Sequence, residues 1–378
     1  MADNYSNFKP NENRKKVRKA EEKEKRIILA TGGTGGHIYP AVVIAHFIKK
    51  QFPQWSILLL GAQGSVMEEI LTKEKLPFAT VAVKGLKGKS ILQLLKNLFI
   101  LPVGIMKALM ITNRFKPHLV MGFGGYPSAP GVLSAFILRI PFIIIEQNVY
   151  PGLANRIFCR FSKAAAVSFE ESRSWLKGRV EITGNPVRED FHRIRPSLKG
   201  ITVDLLIFGG SQGAHTINLL MQSTLPYLKK YKERLKILHQ SGKKDLELVE
   251  KAYKQEQFNA RVVPYIHNMV EEFQKAHLII CRAGASSIAE LTAAGKASIL
   301  LPLAKSADGH QYLNAQSLAQ QNAAIVLWGN ITGEQLAREI IKLIEKPEQI
   351  MEMGKAARKM AQPEAAQKIV NLALEIMK

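Results

Sequence analysis

Along the chain, short β-rich apolar runs alternate with longer stretches of helical periodicity. After a polar opening come RIILAT, WSILLLG, FATVAV, HLVMGF, FIIIEQN, AAAVSF and RVEITG. Such alternation is the signature of βα units around a parallel sheet. The pattern breaks at NPVREDFHRIRPSLKG, rich in proline and charge, which reads as a linker. It restarts with VDLLIFGGS, LKILHQSG, ARVVPYI, AHLIICRAG, ASILLPL and AIVLW. The expected fold class is α/β, with two Rossmann-like domains.

The halves echo each other. Gly32-Gly33-Thr34-Gly35-Gly36 and Gly209-Gly210-Ser211-Gln212-Gly213 both spell G-G-[TS]-x-G directly after the first strand of their domain. Ligands of open parallel sheets sit beyond the carboxyl ends of the strands, so two such domains facing each other make a cleft. A further glycine loop, MGFGGYPSAPG, follows the fourth strand and is the second of the three in chain order, the Gly209–Gly213 loop being the third. Glycine lets backbone N–H groups approach a ligand, and a helix N-terminus behind the loop carries partial positive charge, so phosphate is the expected guest. Neither a dinucleotide fingerprint nor a Walker loop fits: Ile38 stands where the third glycine of G-x-G-x-x-G belongs, and no Gly-Lys-[Ser/Thr] follows.

One stretch departs from the alternation. Val83 to Pro117 holds a long apolar run edged by Lys84, Lys87, Lys89, Arg114 and Lys116. A membrane span needs about 20 apolar residues, and Lys96, Pro102 and Lys107 interrupt this one. Buried helices, or amphipathic helices on an anionic bilayer, are the two readings.

The chain of 378 residues carries a formal net charge of +22, which points to a polyanionic partner such as nucleic acid, acidic lipid or a phosphorylated substrate. Aromatic content of 7% and the lack of any nucleic-acid motif argue against specific nucleic-acid binding. Residues 1–25 form a basic arm with no apolar segment behind its charges, so it is read as disordered and not as a secretory signal. Cys159 and Cys281 stand far apart and suggest neither a disulfide framework nor a cysteine metal site.

His37 lies on the first helical turn behind the first loop, where a neutral imidazole could deprotonate a sugar hydroxyl or merely pack the loop. Glu290, in CRAGASSIAELTAAG, is either a carboxylate for ribose hydroxyls or a solvent-facing helix residue. The five aspartates form no D-x-D pair, so no carboxylate-held Mg²⁺ or Mn²⁺ for a nucleotide diphosphate is expected, and separately no metal site and no cofactor is expected. Charge on a leaving diphosphate would then be met by backbone N–H groups, helix dipoles and basic side chains.

The motifs GGTGGHIYPA, GFGGYPS, EQNVYPGLANR, TGNPVR, GGSQGAHTIN, HQSG, CRAGASSIAELTAAGKASILLPL and DGHQYLNA stand in one order along the chain. In that order they resemble the MurG family of bacterial peptidoglycan N-acetylglucosaminyltransferases, over essentially everything after the arm. The resemblance implies a GT-B fold. Its acceptor and membrane-docking domain would be 26–188 with a returning helix at 362–378, and its donor domain 189–361. It implies inverting, metal-independent transfer of GlcNAc from UDP-GlcNAc to the C4 hydroxyl of MurNAc in lipid I, yielding lipid II and UDP.

Carried over, the donor contacts fall on Thr34, Gly35, Gly36, Asn148, Arg188, Ser211, Ile266, Ala285, Ser286, Ser287, Ile288, Ala289, Glu290 and Gln311. Glu290 would hold the ribose, Ile266 the uracil edge, Ser211 the diphosphate and Gln311 the sugar hydroxyls. Gly124, Gly125 and Tyr126 would meet the acceptor's pyrophosphate, and His37 would be the base. The role of His310 stays open. A lipid acceptor stays in its bilayer, so the resemblance favours docking through Leu94, Leu95, Leu98, Phe99, Ile100 and the flanking lysines on the cytoplasmic face of the cell membrane. Other cell-wall synthesis enzymes are further expected partners. The nearest rival is a GT-B enzyme with another lipid or a small aglycone as acceptor, against which the second glycine loop and NVYPGLANR argue.

Overall fold

The computed structural model describes residues 24–83, 91–195, 200–210, 213–303 and 309–378, with backbone alone for 91–101. The arm up to residue 23, Lys84, Lys87, Lys89, Ser211, and the side chains of Leu94, Leu95, Lys96, Leu98, Phe99 and Ile100 lie outside the described residues.

In the first half, strands β1 (Arg26–Ala30), β2 (Ser56–Ala62), β3 (Phe78–Val81), β4 (Leu119–Gly122), β5 (Phe142–Glu146), β6 (Ala164–Val167) and β7 (Val180–Ile182) form a parallel sheet in the order β3-β2-β1-β4-β5-β6-β7. Helices α1 (Gly35–Gln51), α2 (Val66–Lys73), α3 (Ile91–Phe115), α4 (Ala129–Ile137) and α5 (Leu153–Cys159) connect them. Both faces of the sheet are covered, which is why its strands read as unbroken apolar runs. Alternate residues divide between two cores. Ile27 and Leu29 of β1 pack with α1 and α2, whereas Ile28 and Ala30 pack with α3, α4 and α5.

After a short α6 (Glu189–Arg193), the second half repeats the plan. Strands β8 (Val203–Phe208), β9 (Leu235–Gln240), β10 (Ala260–Val263), β11 (Leu278–Cys281), β12 (Ala297–Leu300) and β13 (Ala324–Val326) order as β10-β9-β8-β11-β12-β13. The accompanying helices are α7 (His215–Leu228), α8 (Leu246–Gln255), α9 (Met269–Lys275), α10 (Ala285–Ala294), α11 (His310–Ala319), α12 (Gly333–Glu345) and α13 (Pro347–Lys359). The last helix, α14 (Ala365–Ile376), leaves this domain and buries Ile369, Val370, Leu372 and Ala373 against the first sheet.

Two details position the cleft. Gly184 has φ +83°, and a Cβ there would lie 2.4 Å from Cβ of Gln362, so linker and returning chain cross at a point only glycine allows. Within the interrupted stretch, Ile91–Phe115 form one helix, α3, running through Pro102. Its Ala108 and Thr112 are buried, while Val103, Met106 and Met110 face outward. Among the described residues, no helix is long and apolar enough to cross a membrane.

Candidate active site

The carboxyl ends of both sheets face a cleft of about 450 Å³. Its first wall begins where β1 runs into α1. Thr34 caps α1 in an extended conformation, His37 N–H donates to its carbonyl (3.1 Å), and Thr31 Oγ1 donates to the His37 carbonyl (2.7 Å). The His37 ring lies against the second glycine loop. A Cβ on Gly125 would stand 3.2 Å from Cδ2 of His37, and one on Gly124 would stand 3.5 Å from Nδ1, with both glycines at positive φ. These glycines therefore make room for an imidazole.

Behind the ring, His37 Nδ1 is 3.1 Å from Gln147 Oε1. The neighbouring Glu146 is buried and accepts four hydrogen bonds: Asn148 N–H (2.9 Å) and Nδ2 (3.0 Å) on one oxygen, Gly152 N–H (3.0 Å) and Asn155 Nδ2 (2.8 Å) on the other. One carboxylate thus folds the whole EQNVYPGLANR segment, using the charge-assisted bonds that are the strongest available to it.

The second wall is the start of α10 with the ends of β8 and β9. Glu290 is partly buried, and loss of solvent raises its carboxyl to about 7, with the Arg188 guanidinium pulling the other way. Arg188 lies 5.8 Å from the centre of the Tyr39 ring and 5.1 Å from that of Phe191. Burial, aided by Tyr265, lifts the Tyr39 phenol well above its usual range. Gln240 accepts from Ile266 N–H (2.9 Å) and donates to the Gly210 carbonyl (2.7 Å), tying the stretch after β10 to the third glycine loop. Arg282, which lines the cleft, donates to the Leu301 carbonyl (2.7 Å) and to Thr216.

A seam of hydrogen bonds joins the walls. Ser286 Oγ donates to the Gly36 carbonyl (3.1 Å), Asn185 Nδ2 to the Ala285 carbonyl (3.3 Å), and Asn314 Nδ2 to Asn148 Oδ1 (3.1 Å). Val149 N–H donates to Asn314 Oδ1 (2.9 Å).

Of the residues expected from sequence, Thr34, Gly35, Gly36, His37, Asn148, Arg188, Ile266, Ala285, Ser286, Ser287, Glu290 and Gln311 line one cleft. Gly124 and Gly125 lie on the flank of the His37 ring, and Tyr126 is exposed beside them. Helical periodicity turns the side chains of Ile288 and Ala289 toward a second cavity of about 350 Å³ behind α10, beside Asn185 and His192. Gln311 accepts from Leu303 N–H (3.0 Å). Sequence reading assigned no role to Tyr39, Gln147, Gln240, Tyr265 or Arg282, all of which line the cleft. Tyr39, Gln147, Gln240 and Arg282 sit inside motifs singled out above, and that placement was their only signal.

Profiles of known families match the two halves separately: the glycosyltransferase family 28 N-terminal domain over residues 27–167, and the glycosyltransferase family 28 C-terminal domain over residues 204–369. The chain is 38% identical over 357 residues to the UDP-N-acetylglucosamine–N-acetylmuramyl-(pentapeptide) pyrophosphoryl-undecaprenol N-acetylglucosamine transferase of Anaeromyxobacter sp. (strain Fw109-5), covering 93% of this chain and 94% of that one. To the protein of the same name from Geotalea daltonii it is 39% identical over 352 residues, covering 92% and 96%. Among solved structures, Acinetobacter baumannii MurG superposes with a TM-score of 0.74 at 29% identity, over 93% of this chain and 99% of that one.

Proposed function

The chain belongs to glycosyltransferase family 28, in its MurG branch, and from that premise we propose how the cleft performs the transfer. The enzyme moves GlcNAc from UDP-GlcNAc to lipid I, giving lipid II and UDP. One observation carries the assignment of roles: His37 and Glu290 stand on opposite walls of a single cleft, each on the opening turns of a helix behind a strand end.

In this reading the second wall holds the donor. Glu290 accepts the ribose hydroxyls, the Ile266 carbonyl meets the uracil edge while its amide stays with Gln240, and Gln311 meets the sugar hydroxyls. The diphosphate lies between the glycine loops and the start of α10, with Arg188 and Arg282 as counter-charges. The acceptor's pyrophosphate lies at Gly124, Gly125 and Tyr126. His37 Nε2 takes the proton of the MurNAc C4 hydroxyl as that oxygen attacks C1 of GlcNAc. The C1–O bond to the β-phosphate breaks, its electron pair leaves with UDP, and the anomeric centre inverts. No metal is assigned to the step.

Membrane docking belongs to the same reading. Val103, Met106 and Met110 of α3, Phe136 and Ile137 of α4, and Leu153, Ile157 and Phe161 on and just after α5 are exposed on one side of the first sheet. The Phe136 and Phe161 rings meet at 5.0 Å, so the α4 and α5 portions are continuous. Lys107, Arg114, Arg139, Arg160 and Lys163 are exposed on the same segments. An apolar patch with cationic neighbours suits the anionic cytoplasmic leaflet, so the surface first assigned to residues 94–100 extends to these. Domain limits of 26–188 with 362–378, and 189–361, are adopted with it.

Transfer of radiolabelled GlcNAc from UDP-GlcNAc to a lipid I analogue, with EDTA present, tests the reading. Labelled lipid II analogue is the expected product. Hydrolysis of UDP-GlcNAc without transfer would move the acceptor assignment to another lipid or aglycone.

A further inference from the structure

We propose that Gln147 is a positioning residue that fixes the tautomer of His37, leaving Nε2 as the nitrogen that accepts the proton. The proposal rests on the reading of His37 as the base.

The two ends of the Gln147 amide are told apart by what they meet. Nε2 lies 3.1 Å from the carbonyl oxygen of Phe123, a group that can only accept. Turning the amide over would press two oxygens together at a side chain only 1% exposed, where no water could separate them. Oε1 is therefore the end that faces His37 Nδ1 at 3.1 Å, and an acceptor at that position requires Nδ1 to carry the proton. In the neutral ring, Nε2 then holds the lone pair.

Both neighbours of this link are fixed independently. Phe123 N–H donates to the Ala30 carbonyl (2.9 Å), so the carbonyl that orients the amide belongs to the sheet. The imidazole is held at its backbone by Thr31 and on its flank by Gly124 and Gly125. A free imidazole prefers its proton on Nε2, so an unsupported ring would mostly present the nitrogen that cannot act as a base. Glutamine corrects this with a neutral acceptor. A carboxylate in its place would also stabilise the imidazolium and hold back the proton it has taken.

The test uses the full chain labelled with ¹⁵N-histidine, with the His37 signals identified by their loss in His37→Ala. At a pH well above imidazole titration, the wild type should show a protonated Nδ1 and an unprotonated Nε2, and Gln147→Met should reverse that preference. In the same variant, kcat for transfer to a water-soluble lipid I analogue should fall about tenfold to a hundredfold, a fraction of what a general base contributes. KM for UDP-GlcNAc should stay within about twofold, because the donor lies on the other wall. A wild-type ring protonated on Nε2 would overturn the proposal, and so would a Gln147→Met enzyme with unchanged tautomer and kcat. Should Gln147→Met fail to fold, the wild-type spectrum still decides. If His37→Ala transfers GlcNAc at the wild-type rate, the base reading fails, a result separate from the tautomer measurement.

Discussion

The two walls of the cleft are built from the same unit, a strand ending in a small-residue loop that opens a helix, yet they carry opposite chemistry. On the first wall, His37 is half-buried and held from behind by a neutral amide. On the second, Glu290 is shielded enough that its carboxyl rises to about 7. The topology places a side chain at the cleft lining, and what surrounds that side chain decides whether it is an oriented imidazole or a carboxylate awaiting a partner. One wall is read as the seat of proton transfer and the other as the seat of donor binding.

The largest effects should come from removing either residue, and they should differ in kind. His37→Ala is expected to lower kcat by about 10²–10⁴, the usual worth of a general base, with little change in donor KM. Glu290→Ala should raise donor KM by roughly 10- to 100-fold, as expected for loss of hydrogen bonds to a charged group. Steady-state kinetics against UDP-GlcNAc separates the two. Both variants failing in kcat alone would mean that the walls are not specialised as described.

The Glu290 carboxyl makes a sharper, smaller prediction. Its folded value, about 7, lies above the ordinary 4.5, so between these pH values the folded chain keeps a proton that the unfolded chain has lost. Stability from this group is therefore fully present below about pH 4.5, declines as pH rises to about 7, and then levels. Glu290→Gln escapes the decline, and above pH 7 the donor-free variant should be more stable than wild type by about 1–2 kcal/mol, a figure reduced for partial exposure. Melting curves across pH check this. Donor affinity of the wild type should tighten from pH 6 to pH 8 as the carboxylate forms, and Glu290→Gln should lose that dependence.

The outer face of the first domain extends the comparison, since the second domain is assigned no lipid contact. Met106→Glu with Ile157→Glu should weaken binding to acidic vesicles by roughly tenfold or more, given about 1.5–3 kcal/mol for burying each apolar side chain. Transfer to a water-soluble acceptor should be unchanged. Vesicle flotation beside the soluble assay measures both, and unaltered flotation would place the docking surface elsewhere.

The strands were legible because burial on both faces writes itself as apolar runs, and the glycine loops because strand ends demand them. Less legible was anything set by the opposite partner of a contact. Glu290 reads equally well as a surface residue until the first domain closes over it. Gln147 and Gln240 look like ordinary polar residues, because the carbonyls and N–H groups they bridge are remote in sequence. Within Ala285 to Glu290, only helical phase decides that Ile288 and Ala289 turn away. Pro102 looked like an interruption and is carried within a continuous α3.

The smallest effect concerns how the second domain stays joined to the first. Helix α14 carries a visible ionic link, in which Arg179 donates to both Glu375 oxygens at 2.7 and 3.0 Å. Both side chains are substantially exposed, 41% and 52%, so solvent screens the pair and holding two long side chains in one geometry offsets much of its gain. On the opposite face of the helix, Ile369, Val370 and Ala373 are at 0% exposure within the core that contains α1. Apolar burial should therefore hold the helix in place. Arg179→Ala is expected to shift the melting midpoint by no more than about 2 °C and to leave transfer unchanged. A larger drop in thermal unfolding would mean that the link between the walls depends on this surface pair after all.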